Sequence, residues 1–407
     1  MKQLGFTDYV YPAAEHSRFV HSLGVLHVAT EIFQRLYVNH RQKLKESIDD
    51  LTKMIKYLRY SALLHDIGHL PFSHSSEELL KEEKKHEDLS AHIIKAHPVI
   101  QDVLEDEELN PDIINRIITG GNIHKYNILR RIISGEFDAD RTDYLLRDSY
   151  NCGVEYGKFD YQRFIDSFAL KDKGELITYI KKKNIHSVES LVVARYHYYT
   201  QVVFHRTRMG YDKIFKKYLE ANFQNESKKL LGDELDLEWW TNFDDCYVLQ
   251  KIKEDAVVEG PWAKYLLRKQ HLKPLFSSGS HASPQEIYII KKIQKRLKAK
   301  GFTRDEDFFV LNRRQEIHEL NQRSDEGSER GGERDMDTAG EMHEHQVIDK
   351  NNNIIGNVTE ISGLLAKFKV PIKIFRLYCV PESFSKMESI VNNVLEERYS
   401  IEDEKLK

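Results

Sequence analysis

The spacing of apolar residues between positions 48 and 65 is the feature that most constrains how this chain can fold. Apolar side chains recur there at steps of three and four residues, which places them on one face of an α-helix. They are Ile48, Leu51, Ile55, Leu58 and Ala62. His65 continues this face, and Gly68 is in a position to end the helix. The pattern predicts a buried helix whose last turn carries a histidine.

Similar helical patterns occupy the rest of the first half. A helix is predicted to begin near Ser17, a suitable N-cap, and to direct Val25, Val28 and Ile32 inward. His21 lies on the same inward stripe. A long helix is predicted from about residue 188 to residue 222, and its aromatic content means that tertiary packing must stabilise it. These patterns predict a mainly α fold with a helical core.

The second half of the chain is less regular. Residues 324–345 are charged, rich in glycine and almost free of large apolar side chains, which predicts a disordered loop. The segments NNNIIGNVTE at residues 351–360 and VPIKIFRLYCV at residues 370–380 predict short strands. We therefore predict a core at residues 1–225 and a smaller C-terminal helical and α+β region at residues 226–407.

Composition limits the setting and the partners of this 407-residue chain. The formal net charge is −4, so no global basic field attracts nucleic acid, although local lysine runs leave that partner open. The three cysteines are far apart and lack metal-ligand spacing, which indicates a reducing compartment. The sequence has neither a leader-like start nor a long apolar run. We therefore predict a cytoplasmic protein without a membrane partner.

The strongest chemical signal is the adjacent pair His65-Asp66 in the segment LLHDIGHLPFSH. An imidazole and a carboxylate at a helix end can reach one divalent cation, but this dipeptide is common by chance. His21 upstream and Asp140 downstream, in FDADRTDYLLRD, are candidates to complete the site. Two imidazoles and two carboxylates suit Mn, Fe, Ni or Mg, and four protein ligands leave positions for water and phosphate.

Each of these residues alone has a simpler explanation. A single histidine on an apolar helix face is more often a hydrogen-bonded core residue. Asp140 alone is more often an acidic side chain that interacts favourably with the N-terminus of a helix. Together, however, the simple explanations require several independent coincidences, and the metal site is the preferred hypothesis.

The region from Gln3 to Asp148 resembles the HD-superfamily deoxynucleoside triphosphate triphosphohydrolases. This family includes bacterial dGTPase-like enzymes and the animal enzymes that join a sterile alpha motif to an HD domain. The matching segments are QLG at residues 3–5, YPAAEHSRFVHSLGV at 11–25, LLHDIGHLPFSH at 63–74, HE at 86–87, DADRTDYLLRD at 138–148 and ARYHYYTQVVFHR at 194–206. The resemblance implies an HD-domain helical core.

The resemblance also implies roles for individual residues. The metal ligands would be His21, His65, Asp66 and Asp140. The polyphosphate would be held by Arg18, Arg141 and Arg195, whose planar guanidinium groups match phosphate oxygens. The sugar would meet Tyr144 and Asp148, and the 3′-hydroxyl and base would meet Gln3 and Leu4. The catalytic group would consist of His74 as proton donor, Glu77 as its partner carboxylate and His86 facing the phosphates.

The implied reaction is the hydrolysis of a deoxynucleoside triphosphate to a deoxynucleoside and inorganic triphosphate. Water activated by the cation would attack the α-phosphorus, and His74 would protonate the O5′ leaving group. The family also implies a homo-oligomer, a dimer or tetramer, and a possible nucleotide activator. Two alternatives stay open: another HD phosphohydrolase, either a nucleotidase or a phosphodiesterase, and a non-catalytic nucleotide sensor on the same fold.

Overall fold

The computed structural model describes residues 1–80, 85–121, 123, 126–172, 176–231, 235–258, 260–317 and 346–405. Helices account for most of the first half of the chain. They are α1 (Arg18–Ser47), α2 (Leu51–Leu64), α3 (His86–Ala96), α4 (Pro98–Asp106), α5 (Pro111–Thr119), α6 (Asn127–Ser134), α7 (Ala139–Cys152), α8 (Tyr161–Ile165), α9 (Ile185–His197) and α10 (Arg206–Asn222). Among the described helices of the whole chain, none is both long and apolar enough to cross a membrane.

The later part of the chain combines helices with strands. Its helices are α11 (Gln224–Leu231), α12 (Leu237–Asn242), α13 (Asp245–Val258), α14 (Pro261–Leu267), α15 (Pro284–Ala299), α16 (Val358–Ile361) and α17 (Phe384–Lys405). The strands of the chain are β1 (Phe168–Asp172), β2 (Leu176–Lys181), β3 (Lys273–Ser277), β4 (Phe308–Gln315), β5 (Gln346–Ile348), β6 (Ile354–Asn357) and β7 (Ile372–Cys379). The prediction of a mainly α fold with a smaller β component is confirmed.

The strands form two small sheets. One has the order β1-β2-β5-β6, in which β2 and β5 are parallel, and the other has the order β3-β7-β4. Both predicted strand segments in the C-terminal region are confirmed as β6 and β7. The division of the chain at residue 225 stays a prediction. The first sheet includes strands from both sides of that position. The predicted loop at residues 324–345 lies outside the described residues.

The two helices that carry the HD motif begin where their caps predict. Ser17 accepts a hydrogen bond from the Val20 N–H at 3.3 Å and caps α1, which confirms the predicted start. Asp50 accepts one from the Lys53 N–H at 2.9 Å and caps α2. Leu58 and Ala62 on the predicted apolar face are fully buried. The caps set where α1 and α2 begin, and the buried side chains show which face of α2 packs against the core.

Two helix boundaries differ from the prediction. Helix α2 ends at Leu64, before Gly68, and Gly68 instead permits a close approach of α3, because a Cβ there would lie 2.3 Å from the backbone nitrogen of Ser90. The predicted helix at residues 188–222 is three segments: α9, a π-helical stretch at Tyr198–Val203 and α10. Neither glycine nor proline marks this break, so the sequence carried no signal for it.

A deviation in α1 leads to a testable pH dependence. His40 has non-helical backbone angles, and its Nε2 accepts a hydrogen bond from the Leu170 N–H at 3.2 Å. Burial and the nearby Lys181 and Lys43 ammonium groups lower the pKa of His40 to about 4. Neutral His40 therefore stabilises the fold fully above pH 6.5, and this contribution is lost as the pH falls from 6.5 toward 4.

We expect the variant H40Q, which retains a hydrogen-bond acceptor but cannot be protonated, to lose less thermal stability than the parent protein between pH 7.5 and pH 4.5. Melting temperatures measured across this range by circular dichroism would show two curves that diverge on acidification. Parallel curves would show that His40 has no part in the acid sensitivity of the fold. The matched substitution H27Q, at an exposed position of α1, serves as the control.

Candidate active site

Three separate elements bring the four predicted metal ligands together. His21 lies in the first turn of α1, His65 and Asp66 directly follow α2, and Asp140 lies in the first turn of α7. The Nε2 atom of His21 is 3.0 Å from Asp140 Oδ1 and 3.7 Å from Asp66 Oδ2. The Nε2 atom of His65 is 3.3 Å from Asp66 Oδ1 and 3.8 Å from Asp140 Oδ1. Donor atoms of His21, His65 and Asp66 thus lie within 4.8 Å of one another, a spacing that could hold a metal ion, and Asp140 lies beside both imidazoles.

The Nε2 atoms of the two histidines are arranged as metal ligands would be. Each ring uses Nδ1 inside the protein: His21 toward Asp143 Oδ2 at 2.8 Å, and His65 toward the Ala62 carbonyl oxygen at 2.8 Å. The two Nε2 atoms are buried and form no hydrogen bond among the described residues, and their near neighbours are the carboxylates of Asp66 and Asp140. An outer hydrogen bond on one nitrogen and a free second nitrogen is the usual arrangement of a metal-binding histidine.

The pKa shifts of the four predicted metal ligands are also consistent with a metal site. Burial acts to lower the pKa of His21, but the Asp140 and Asp143 carboxylates outweigh it and raise that pKa to about 10. Burial acts to raise the pKa of Asp140, but the imidazoles of His21 and His65 hold it well below its usual range. The carboxylates thus concentrate negative charge where the Nε2 atoms point, which favours a bound cation. The residues present fit a divalent metal ion.

A salt bridge behind His21 fixes its orientation. The Asp143 carboxylate, one turn after Asp140 on α7, also accepts hydrogen bonds from Arg147 Nε and Nη2, both at 2.8 Å. Gly24 makes room for this pair, because a Cβ at Gly24 would lie 1.9 Å from Asp143 Oδ1 and 2.3 Å from Arg147 Nη2. None of these three residues was predicted to take part in the site. Their spacing from His21 and Asp140 on the same two helices was the available signal.

We expect the variant G24A to displace Asp143 and to weaken Mn²⁺ binding by about 10- to 100-fold, the usual effect of losing such an outer partner. Isothermal titration of the metal-free protein with MnCl₂ measures this change. The matched control is G363A, because a Cβ at Gly363 meets no atom within 4 Å. Unchanged Mn²⁺ affinity in a folded G24A protein would show that the orientation of His21 does not depend on this salt bridge.

A second group of donor atoms lies beside the first. His69, His74, Glu77 and His86 each present one donor atom, and these atoms lie within 4.8 Å of one another. Glu77 Oε1 is 2.7 Å from His74 Nδ1 and 3.0 Å from His86 Nδ1. His74 and Glu77 are therefore brought together as predicted, and His86 joins the same carboxylate. The group can hold protons or a second cation.

His69, which had no predicted role, connects the two groups. Its ring stacks on that of His86 with centroids 3.7 Å apart, and its Nε2 is 3.4 Å from Asp66 Oδ1. Burial lowers the pKa of His69 well below its usual range, and the Arg18 guanidinium acts in the same direction. Burial acts to lower the pKa of His86, but the nearby carboxylates, first among them Glu77, outweigh it and raise that pKa. The two stacked imidazoles therefore differ in pKa, and that of His86 is the higher.

All three predicted phosphate-binding arginines already contact carboxylates. Arg18 Nη1 is 2.5 Å from Asp66 Oδ2, so it contacts a predicted metal ligand directly. The other two pairs are Arg141 with Asp138 at 2.6 Å and Arg195 with Glu136 at 3.4 Å. Arg18 and Arg195 are buried, at 7% and 4% exposure. A phosphate bound here would share or replace these carboxylate partners.

The predicted nucleoside contacts are also grouped. Asp148 is fully buried, with His16 Nε2 2.7 Å from one carboxylate oxygen and the Tyr198 hydroxyl 2.7 Å from the other. The Tyr144 ring lies 5.3 Å from that of Tyr198. The Gln3 backbone N–H donates to the His16 carbonyl at 2.9 Å, which places residues 3 and 4 beside this cluster. Gln3 Oε1 is buried and has no hydrogen-bond partner among the described residues, so it is available to a ligand.

Comparison with known protein families agrees with this geometry. Residues 18–144 match the HD domain, and residues 159–304 match the HD associated region. The chain carries an HD domain. The match includes all four predicted metal ligands, Arg18, Arg141 and Tyr144. It therefore covers the helices that hold the first donor group.

Several relatives are similar to this HD-domain chain. An uncharacterized protein of Methanocaldococcus jannaschii is 33% identical over 64% of the chain, and an uncharacterized protein of Bacillus subtilis is 30% identical over 66%. The deoxynucleoside triphosphate triphosphohydrolase SAMHD1 homolog of Dictyostelium discoideum is 32% identical over 51% of the chain. The chain spans 50%, 63% and 40% of the lengths of these three relatives.

Solved structures extend the similarity over nearly the whole chain. A hypothetical protein from Aquifex aeolicus is 27% identical, with a TM-score of 0.74 over 96% of this chain and 91% of its own. A phosphohydrolase from Bacteroides thetaiotaomicron is 20% identical, with a TM-score of 0.68 over 93% of this chain and 91% of its own, and it shows the shared fold alone. The HD domain and the region that follows it thus form a recurring architecture.

Proposed function

We propose that this HD-domain protein hydrolyses deoxynucleoside triphosphates to a deoxynucleoside and inorganic triphosphate. The observation that carries the proposal is the pair of buried, unpartnered Nε2 atoms of His21 and His65 beside Arg18. A metal site next to a buried guanidinium suits a substrate that brings phosphate. The relatives named as deoxynucleoside triphosphate triphosphohydrolases, from Dictyostelium discoideum and Bos taurus, are each 32% identical over part of the chain and support this substrate class.

The metal would be held by His21, His65, Asp66 and Asp140. A bound divalent cation supplies a Lewis acid for a phosphate oxygen and lowers the pKa of water. Each imidazole lies within 4 Å of both carboxylates, so the four side chains would need only a modest rearrangement to converge on one ion. Arg18, which contacts Asp66, would place a phosphate oxygen beside this site.

The remaining residues would bind and protonate the substrate. Arg141 and Arg195 would exchange their carboxylate partners for the outer phosphates and stabilise charge as it develops there. His74, whose side chain is 66% exposed, is accessible to a leaving group, and the contact of its Nδ1 with Glu77 Oε1 orients the ring so that Nε2 would face that group. Asp148, Tyr144, Gln3 and Leu4 would contact the deoxynucleoside. His86 would face the phosphates from the other side of Glu77.

The direct test incubates the Mn²⁺-loaded full chain with each dNTP and rNTP and identifies the products by anion-exchange chromatography. We expect inorganic triphosphate and deoxynucleoside in equal amounts, and no turnover after EDTA treatment. Orthophosphate or a nucleoside monophosphate as product would favour a nucleotidase or a phosphodiesterase. Binding of dNTPs without any product would favour the nucleotide sensor. Adding a second nucleotide to the same assay tests activation, and light scattering tests the proposed homo-oligomer.

A further inference from the structure

The loop that carries His74 contains an unfavourable backbone corner. Phe72 and Ser73 are consecutive residues other than glycine, and both have a φ of 60° in the left-handed region. Such residues persist only where surrounding contacts hold them, and they are frequent at functional sites. This corner, defined as residues 70–74, follows Asp66 and ends with His74. A contact that holds the corner therefore also places the proposed proton donor.

A buried carboxylate from the region after the HD domain supplies that contact. Asp245, the first residue of α13, is 8% exposed. Its Oδ1 accepts a hydrogen bond from the Phe72 N–H at 2.8 Å, and its Oδ2 accepts one from the Lys2 N–H at 2.5 Å. The two oxygens thus bind two backbone segments that are about seventy residues apart in sequence. Hydrogen bonds to a buried carboxylate are among the stronger ones.

The corner and the N-terminal segment also contact each other directly. The Ser73 hydroxyl lies 2.9 Å from the carbonyl oxygens of both Lys2 and Gln3 and accepts a hydrogen bond from Arg18 Nε at 3.2 Å. The Phe6 ring stacks on Phe72 with centroids 4.3 Å apart. Gly5 permits this approach, because a Cβ there would lie 2.9 Å from the Phe72 carbonyl oxygen. Residues 2–6, the corner and Arg18 form one connected unit.

We propose that Asp245 is a positioning residue that couples nucleoside recognition by Gln3 and Leu4 to protonation by His74. The proposal rests on the function proposed above and gives the HD associated region a part in the reaction. Without the carboxylate, the corner and the N-terminal segment lose their common anchor. His74 then samples positions away from the leaving group, and Gln3 loses its fixed place beside Asp148. Asp245 bonds to the backbone of Lys2 and Phe72 and not directly to a metal ligand, so the first donor group keeps its own contacts.

The test compares D245A, D245N and the matched control D244N in the full chain. Asp244 is the adjacent carboxylate and accepts from the Tyr247 N–H instead. We expect D245A to lower kcat by about 10- to 100-fold and to reduce the preference for a dNTP over the matching rNTP, because small displacements of reacting groups have effects of this size. D245N keeps one acceptor oxygen and should recover part of both losses. Mn²⁺ affinity should stay within about twofold of the parent, since the metal ligands keep their own outer contacts.

Hydrogen–deuterium exchange tests the anchoring role of Asp245 independently of the proposed substrate. In D245A we expect the amides of Lys2 and Phe72 to exchange faster, while those of α1 and α2 keep their protection. This result is obtained without any substrate, so it decides the anchoring role even if no dNTP is turned over. Unchanged exchange at both amides overturns the proposal. So does a D245A protein that keeps its kcat and its dNTP preference, or one that loses Mn²⁺ affinity in proportion to activity.

Discussion

Replacing His65 with asparagine is expected to lower dNTP turnover by at least about 1,000-fold, because a cation bound at this site contributes several kcal/mol of transition-state stabilisation. Asparagine retains an amide N–H near the position of the imidazole Nδ1, so the hydrogen bond to the Ala62 carbonyl can persist. It has no counterpart of Nε2, the buried atom that lacks a partner. The variant thus removes one metal ligand and little else.

The measurement combines kcat/KM with the metal content of the purified protein by inductively coupled plasma mass spectrometry. We expect bound metal to fall together with activity, while the melting temperature of the metal-free protein changes little. The control H27N alters an exposed histidine on α1 whose Nε2 lies 3.6 Å from Glu31 Oε2, away from the first donor group. If H65N keeps both its metal and its turnover, His65 is a core histidine and the proposed metal site is wrong.

The helices that position the first donor group could be predicted because their signals are local. Ser17 and Asp50 are N-cap residues, and the apolar spacing from Leu51 to Ala62 defines the face of α2. These features fix where His21 and His65 leave their helices. The order of His21, His65-Asp66 and Asp140 along the chain then indicated that the four side chains meet. Their convergence is what the structure adds.

Contacts that depend on tertiary packing were not predictable. The break between α9 and α10 has no proline or glycine, so the pattern indicated one helix where the chain forms a π-helical segment. The role of Gly24 requires knowing that α7 lies against α1, and the role of Gly68 requires knowing that α3 crosses it. Asp245 is more than 170 residues from Phe72, and no local pattern connects them. These packing contacts therefore had to come from the structure.

The proposed role of His74 in the departure of the leaving group can be tested by substitution. Replacing His74 with asparagine keeps an N–H toward Glu77 but removes Nε2, the atom proposed to protonate O5′. The expected loss in kcat is about 10²- to 10⁴-fold, the usual contribution of a general acid. Metal bound at the first donor group should not change, because His74 lies outside it. The control H186N alters a histidine in the same three-residue spacing to a glutamate, 86% exposed and on α9.

A substrate analogue distinguishes proton donation from a structural role of His74. In a dNTP with sulfur in place of O5′, the leaving group is a thiolate, which departs without being protonated because a thiol is far more acidic than an alcohol. The H74N protein should therefore lose less than about tenfold in kcat with this analogue, against the larger loss with the oxygen substrate. Equal losses with both substrates would mean that His74 shapes the site or holds a second cation with Glu77 and His86, and that another group protonates O5′.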